Sequence, residues 1–176
     1  LMDQGRGLAK RLVVSLFVNP TQFGPNEDLS AYPRDIERDT QIAAAHGADA
    51  IFIPEPASMY AEDHATWVEV PDLSRIMCGL SRPTHFRGVC TVVLKLFMIT
   101  QADVAVFGQK DWQQQAILRR MVRDLNVPVR IETCPIVREE DGLALSSRNV
   151  YLTEEERRQA PWILSLIHIS EPTRPY

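Results

Sequence analysis

Short apolar runs alternate with helical patterns along this chain. Four runs are rich in β-branched residues and too short for typical helices, so they predict buried strands. These runs are residues 11–18, 50–53, 103–107 and 129–133. Apolar spacings of three and four residues predict helices between them, at 34–46, 89–100 and 112–125. Strands that alternate with helices imply an α/β fold with a mainly parallel sheet covered on both faces.

Weaker patterns mark the remaining elements. Residues 66–70 alternate as a half-exposed strand does, and 72–80 are predicted to form a short helix. Gly47 and Asn126 are placed to end helices. Thr153 and Glu156 have the form of a capping box, which predicts a helix start. Because the chain shows no repeat, low-complexity run or clear linker, residues 1–163 are predicted to form one domain.

The two ends of the chain differ in character from its middle. Leu1 is not an initiator methionine, and we interpret the start as a truncation. From about Leu164 the sequence resembles translated sequencing-adapter read-through, so residues 164–176 are predicted to be a non-native tail. His168 is then disregarded as a functional residue. The alternative is a genuine proline-rich terminal tail.

Composition narrows the class of protein. The chain has 45% hydrophobic and 24% charged residues, as soluble globular proteins do. Its net charge of −4 argues against a nucleic-acid or anionic-membrane binder. Three cysteines without a Cys-x-x-Cys pair support neither a disulfide framework nor a zinc site. The longest apolar run, 89–99, is too short to span a bilayer, so we expect a soluble protein, and the cysteine pattern favours a reducing, cytoplasmic setting.

The first candidate for chemistry is the segment 108–111, where an apolar strand passes into a helix start. Gly108 permits close backbone approach, Lys110 supplies a positive charge, and the helix start adds its dipole. Together these features predict a phosphate site. The alternative is structural, because Asp111 and Gln114 have the form of an N-cap with its reciprocal partner.

The second candidate is the segment 145–148, which follows a turn at Gly142. Two hydroxyls, Ser146 and Ser147, and the guanidinium of Arg148 can donate several hydrogen bonds to phosphate oxygens. The alternative is that the serines cap a turn while Arg148 is solvated.

The third candidate lies at the end of the first strand. The amides of Asn19 and Gln22 suit a small polar substrate because they both donate and accept, although a plain Asn-Pro turn explains them equally. His85 and Arg87 form either a basic site or a solvated loop. His64 shows no partner spacing and is predicted to be exposed.

Five segments, taken together and in order, resemble the pantothenate synthetase family over residues 11–161. They are 17–23 (Phe-Val-Asn-Pro-Thr-Gln-Phe), 31–34 (Ala-Tyr-Pro-Arg), 81–89 (Ser-Arg-Pro-Thr-His-Phe-Arg-Gly-Val), 107–114 (Phe-Gly-Gln-Lys-Asp-Trp-Gln-Gln) and 142–149 (Gly-Leu-Ala-Leu-Ser-Ser-Arg-Asn). The resemblance implies a Rossmann-like nucleotide-binding domain of the HIGH-type nucleotidyltransferase superfamily. Residues 1–163 would be part of that N-terminal domain, without the family's C-terminal lid domain.

The resemblance also implies roles for individual residues. ATP would be bound by Gly108, Gln109, Lys110, Asp111, Val137, Leu145, Ser146, Ser147 and Arg148. Lys110, Ser146, Ser147 and Arg148 would act in catalysis, and Val137 would meet the adenine through its backbone. Gln22 and Gln114 would hold pantoate, and Gln22 would also border the β-alanine site.

The reaction implied by the resemblance has two steps. The pantoate carboxylate attacks the α-phosphorus of Mg-ATP to give pantoyl adenylate and pyrophosphate, and the amine of β-alanine then displaces AMP. Charge neutralisation and in-line positioning would supply most of the acceleration, without a side-chain nucleophile or a protein-held metal. The family is typically homodimeric, so we expect a homodimer in the full-length parent. The alternatives are a non-catalytic nucleotide-binding module and a related nucleotidyltransferase.

The family's ATP-binding His-x-Gly-His element is absent, because the chain begins downstream of it. We therefore expect the polypeptide as written to have little or no ligase activity. Incubation of the purified chain with ATP, pantoate and β-alanine, followed by assay for pantothenate, checks this. Robust pantothenate formation would contradict it.

Overall fold

The computed structural model describes residues 1–164. The chain folds into two compact units, Leu1–Cys134 and Pro135–Tyr176. Of the predicted non-native tail, only Leu164 is described, and the rest, with His168, lies outside the described residues.

Eight helices are present among residues 1–164. In chain order they are α1 (Met2–Leu8), α2 (Ile36–Ala45), α3 (Pro56–Met59), α4 (Pro71–Ser74), α5 (Cys78–Ser81), α6 (His85–Thr100), α7 (Trp112–Asp124) and α8 (Glu154–Gln159). Three short 3-10 turns are also formed, at Pro20–Gln22, Gln109–Asp111 and Ser147–Tyr151. All three lie in or beside the segments that the sequence singles out as candidate sites.

The strands form two parallel pairs. They are β1 (Val13–Ser15), β2 (Ala50–Phe52), β3 (Val104–Gly108) and β4 (Arg130–Cys134). β1 pairs with β2 and β3 pairs with β4, both parallel, with Val13 opposite Ala50 and Val104 opposite Arg130. The prediction of parallel α/β structure is confirmed, although the two pairs are separate ladders.

Two predicted elements are wrong. Residues 66–70 do not form a strand, because the Val68 N–H donates to the Thr91 hydroxyl on α6 (3.1 Å) and no neighbouring strand pairs with this segment in residues 1–164. The helix predicted at 72–80 is broken into α4 and α5. The break lies at Met77, whose φ of 48° does not belong to a right-handed helix.

The core of the first unit lies between α6 and α7. Val89, Cys90 and Phe97 of α6 are buried, as are Ile117 and Leu118 of α7. The predicted helical spacing of both segments is therefore confirmed, because their apolar faces meet. All three cysteines are unpaired, Cys90 and Cys134 being buried and Cys78 exposed. Burial raises the pKa of the Cys90 thiol to about 12.

Helix ends follow the sequence closely, except at the start of the chain. Gly47 (φ 77°) and Asn126 (φ 50°) take left-handed conformations directly after α2 and α7, as predicted. The predicted capping box of Thr153 and Glu156 begins α8. The sequence gives no sign of α1, because Gly5 and Gly7 are poor helix formers.

A glycine on α6 brings that helix against the turn Pro20–Gln22. A Cβ on Gly88 would lie 2.5 Å from the carbonyl oxygen of Thr21 and 2.7 Å from the Cα of Gln22. Only glycine therefore allows the helix backbone to approach the turn this closely. The position of Gln22 depends on this contact.

We expect Gly88→Ala to lower the free energy of unfolding by about 1–3 kcal/mol, because the added methyl forces two backbones apart. Chemical denaturation monitored by circular dichroism measures this. Gly7→Ala is the matched control, since no atom of the described part of the chain lies within 4 Å of the added methyl. It should be neutral or stabilising by up to about 1 kcal/mol. Equal stability of the two variants would contradict the close contact.

Candidate active site

The turn after β3 is an open corner that carries one lysine and one aspartate. β3 ends at Gly108, the 3-10 turn covers Gln109–Asp111, and α7 begins at Trp112. The Lys110 ammonium lies 3.8 Å from the Asp111 carboxylate, and the side chains are 43% and 61% exposed. Asp111 stands at the N-cap of α7, but its side chain makes no capping hydrogen bond, so the reciprocal cap with Gln114 that the structural alternative predicts is not formed.

Gly108 leaves space in front of its backbone. Its φ of −77° is accessible to any residue, so conformation does not require a glycine here. A Cβ at this position would contact only the Leu1 side chain, at 3.9 Å. The glycine therefore keeps the strand end open to an approaching group.

A buried polar residue that sequence reasoning missed supports this corner from behind. Gln115 is 4% exposed, its amide nitrogen donates to the Gly108 carbonyl, and its amide oxygen accepts from the Thr133 hydroxyl at 2.7 Å. A signal for it exists in the sequence, since a glutamine stands on the apolar face of α7 beside Leu118. Gln115 ties the end of β3 to both α7 and β4.

Gln113 and Gln114, which precede Gln115 on α7, differ in their hydrogen bonds. The Gln113 side chain donates to the carbonyls of Leu73 (3.0 Å) and Ile76 (2.7 Å) and accepts from the Cys78 N–H (3.0 Å). It therefore holds the segment between α4 and α5. The Gln114 amide has no hydrogen-bond partner among residues 1–164 and is half-buried. Gln114 is thus the one of the three whose polar group the described fold does not use.

The end of β1 carries a connected polar network. Asn19 is 2% exposed, and its amide nitrogen donates to the Gly88 carbonyl (3.2 Å) and to the Gln22 amide oxygen (3.3 Å). Its amide oxygen accepts from the hydroxyls of Tyr60 (2.8 Å) and Thr21 (3.0 Å). Asn19 also caps the turn, as the Asn-Pro alternative predicts, but this accounts for only part of its bonding.

His85 supports the same turn from the other side. Its Nδ1–H donates to the Gln22 carbonyl (2.9 Å), while Nε2 accepts from Arg82 (3.3 Å). Arg82 in turn pairs with Glu27, whose carboxyl pKa is lowered mainly by that hydrogen bond. Burial lowers the pKa of His85, which agrees with a neutral ring that donates only from Nδ1.

Arg87 and His64 do not lie where the sequence predicted. Arg87 stacks over Trp67 (4.8 Å) and its Nε is 3.5 Å from Glu69, so it does not join His85 in a basic site. His64 packs edge-on between Tyr60 and Trp67, with ring centroids 5.0 Å apart in each pair. The His64 Nε2 is buried, so the prediction of an exposed histidine is wrong.

The second unit carries the remaining predicted residues. Leu145 donates its N–H to the Val137 carbonyl (2.9 Å), and the side chains of both are more than half exposed. The Val137 N–H has no partner among residues 1–164.

Ser146 begins the last 3-10 turn. Its hydroxyl oxygen accepts from the Arg148 N–H (3.2 Å), which confirms the capping role for this serine. Asn149 anchors the turn by donating to Glu139 (2.8 Å) and to the Ala144 carbonyl (3.2 Å). Ser147 and Arg148 are the first two residues of this turn.

Comparison with known proteins gives consistent results. The sequence profile of the Pantoate-beta-alanine ligase family matches residues 1–173. A pantothenate synthetase of Desulfovibrio desulfuricans is 80% identical over 169 residues, which is 96% of this chain and 60% of that protein. One from Nitratidesulfovibrio vulgaris is 66% identical over 163 residues, covering 93% and 58%. The chain thus spans about three fifths of these relatives' length.

Solved structures agree. The crystal structure of a pantothenate synthetase from Thermus thermophilus matches with a TM-score of 0.92 and 51% identity, over 94% of this chain and 60% of that one. A pantoate-beta-alanine ligase from Francisella tularensis, complexed with beta-gamma ATP and beta-alanine, matches with a TM-score of 0.90 and 36% identity. The match covers 98% of this chain and 67% of the Francisella chain.

The parallel strand pairs, their crossover helices and the open turn after β3 are those of the HIGH-type nucleotidyltransferases, an α/β class with a Rossmann-like sheet. Within that class, the chain belongs to the pantoate–beta-alanine ligase family.

We expect the free energy of unfolding to fall as the pH drops below the ordinary histidine pKa of 6.5, because the folded His85 has a lower pKa and binds fewer protons than the unfolded one. The contribution of His85 is fully present above that pH and is lost as the pH falls through its folded pKa. Denaturation between pH 8 and pH 5 measures the slope. His85→Asn should flatten this slope, because the residue that titrates is removed. An unchanged slope in His85→Asn would refute this account.

Proposed function

We propose that this chain forms part of an ATP-dependent ligase that joins pantoate to β-alanine through pantoyl adenylate, releasing AMP and pyrophosphate. One observation carries the proposal: the first unit combines an open, lysine-bearing strand–helix turn with glutamine amide groups that the fold leaves available. The family match supports this reading, as does the ligand pair of the Francisella relative.

ATP is the ligand proposed for the turn after β3. Lys110 supplies a positive charge for phosphate oxygens, and the start of α7 adds unsatisfied N–H groups and its dipole. A Cβ added at Gly108 would approach the Leu1 side chain no closer than 3.9 Å, so we propose that the backbone at the end of β3 is accessible to the phosphates. Gln109 and Asp111 are proposed to bind ATP from the same turn, with Asp111 near the ribose.

Pantoate is the ligand proposed for Gln22 and Gln114. Its carboxylate and hydroxyls need donors as well as acceptors, and amides provide both. The Gln22 amide nitrogen has no partner among residues 1–164, and neither does the Gln114 amide. Gln22 is further proposed to border the site of β-alanine.

In the second unit, Ser146, Ser147 and Arg148 are proposed to donate to the triphosphate, with Leu145 beside them. The Ser146 oxygen already accepts one bond, which leaves its hydroxyl hydrogen for a phosphate oxygen. Charge-assisted bonds of this kind are stronger than neutral ones. They would stabilise pyrophosphate as the α-phosphorus–oxygen bond breaks.

The chemistry requires orientation more than reactive side chains. The pantoate carboxylate attacks the α-phosphorus, pyrophosphate leaves, and the β-alanine amine then attacks the acyl carbon with loss of AMP. Residues that hold the reactants in line lower the barrier by making the step effectively unimolecular. Lys110, Ser146, Ser147 and Arg148 are the residues proposed to balance the charge that develops.

Three further features belong to the proposal. Mg²⁺ is expected to enter with the phosphates of ATP, since no group of three or more His, Cys, Asp or Glu side chains within residues 1–164 is arranged to hold a metal. Location in the cytoplasm and a homodimeric parent protein are also proposed. None of the helices described is long and apolar enough to cross a membrane.

Calorimetric titration with ATP and with pantoate tests the proposal. We expect saturable binding of both, with pantoate binding weakened about ten- to hundred-fold in Gln114→Ala, because a hydrogen bond to a charged ligand is lost. Lys110→Met should weaken the binding of ATP instead. Gln41→Ala, at an exposed glutamine on α2, is the matched control and should change neither.

The outcomes separate the alternatives. Binding of ATP with indifference to pantoate would favour a non-catalytic nucleotide-binding module. Binding of neither ligand by the folded chain would overturn the proposal for this polypeptide.

A further inference from the structure

The amide groups at the end of β1 have only one consistent orientation. The Gly88 carbonyl belongs to α6 and can only accept a hydrogen bond, so the Asn19 atom that faces it at 3.2 Å must be the amide nitrogen. The Asn19 oxygen then faces the hydroxyls of Tyr60 and Thr21, which are donors. The backbone of α6 therefore decides which way the Asn19 amide points.

The same reasoning extends to Gln22. The Asn19 nitrogen lies 3.3 Å from the Gln22 side chain, and a donor there requires the Gln22 atom to be its oxygen. The Gln22 amide nitrogen is consequently turned away from Asn19. It has no partner among residues 1–164, so its two N–H groups are available to a ligand.

Tyr60 completes this arrangement from a distant part of the chain. It lies 41 positions after Asn19, follows α3, and donates its hydroxyl to the Asn19 oxygen at 2.8 Å. The Tyr60 ring is held by His64 at 5.0 Å and by the Lys95 ammonium at 5.6 Å. Burial raises the pKa of Tyr60, which keeps the hydroxyl protonated as a donor.

We propose that Tyr60 is a positioning residue for substrate binding. Through Asn19 it holds the Gln22 amide with its oxygen inward and its N–H groups outward, so that this subsite selects an oxygen acceptor such as a carboxylate. This inference rests on the proposed function for the identity of the substrate, pantoate. The orientation itself depends only on hydrogen bonds within the fold.

The test compares Tyr60→Phe with the parent chain. Loss of the hydroxyl removes one donor to the Asn19 oxygen and leaves the Gly88 carbonyl and Thr21 as partners of the Asn19 amide, so the Asn19 and Gln22 amides are held less firmly in the same orientation. We expect the Kd for pantoate to rise about five- to ten-fold, the value for one neutral hydrogen bond, while the Kd for ATP stays unchanged. Ser58→Ala removes a hydroxyl on neighbouring α3 that bonds only the Glu55 carbonyl among residues 1–164, and should leave both constants unchanged.

A second readout needs no ligand. The side-chain NH₂ signals of Asn19 and Gln22 in ¹H–¹⁵N spectra should shift in Tyr60→Phe and stay in place in Ser58→Ala. If Tyr60→Phe does not fold, Thr21→Val removes the other hydroxyl that donates to the Asn19 oxygen and gives the same comparison.

Each result decides the proposal. A higher Kd for pantoate together with shifted NH₂ signals supports it, and an unchanged Kd for pantoate overturns it. A parent chain that binds no pantoate contradicts the proposed function instead. In that case the NH₂ signals decide alone: a shift supports the orienting role of Tyr60, and unchanged signals overturn it.

Discussion

The candidate substrate site at the end of β1 depends on the close approach of α6 to the turn Pro20–Gln22. Gly88 allows the two backbones to meet, and its carbonyl then becomes the fixed acceptor for the Asn19 amide. The buried face of α6, including Val89 and Phe97, anchors that carbonyl in the core. Apolar packing thereby orients a polar network, because a well-packed helix cannot shift to accommodate a different orientation of the Asn19 amide.

Three consecutive glutamines on α7 differ in their hydrogen-bond partners. Gln113, Gln114 and Gln115 are consecutive on α7, and helical geometry points them in different directions. Gln113 bonds the segment before α5, and Gln115 bonds the end of β3. The Gln114 amide has no hydrogen-bond partner among residues 1–164 and is the one proposed to bind pantoate. At the start of α7, the candidate binding residue Gln114 therefore lies between two glutamines, Gln113 and Gln115, whose amides stabilise the fold.

Much of this could be predicted from the sequence. The apolar periods of β3 and α7 indicate the strand–helix corner, and Gly47 and Asn126 indicate helix ends, because these signals are local. The failures at 66–70 and at Met77 depend on partners distant in the chain, such as Thr91 on α6. The Tyr60–Asn19 contact could not be predicted for the same reason, since nothing local to Tyr60 indicates an amide 41 positions earlier.

The three cysteines have a practical consequence. Two thiols are buried, and the raised pKa of Cys90 keeps it in the unreactive protonated form. Cys78 alone is exposed, and its N–H is bonded to Gln113, the residue next to Gln114. The chain therefore carries its own attachment point for a fluorophore or spin label against the first turn of α7, the helix that also carries Gln114, so no cysteine has to be engineered for labelling there.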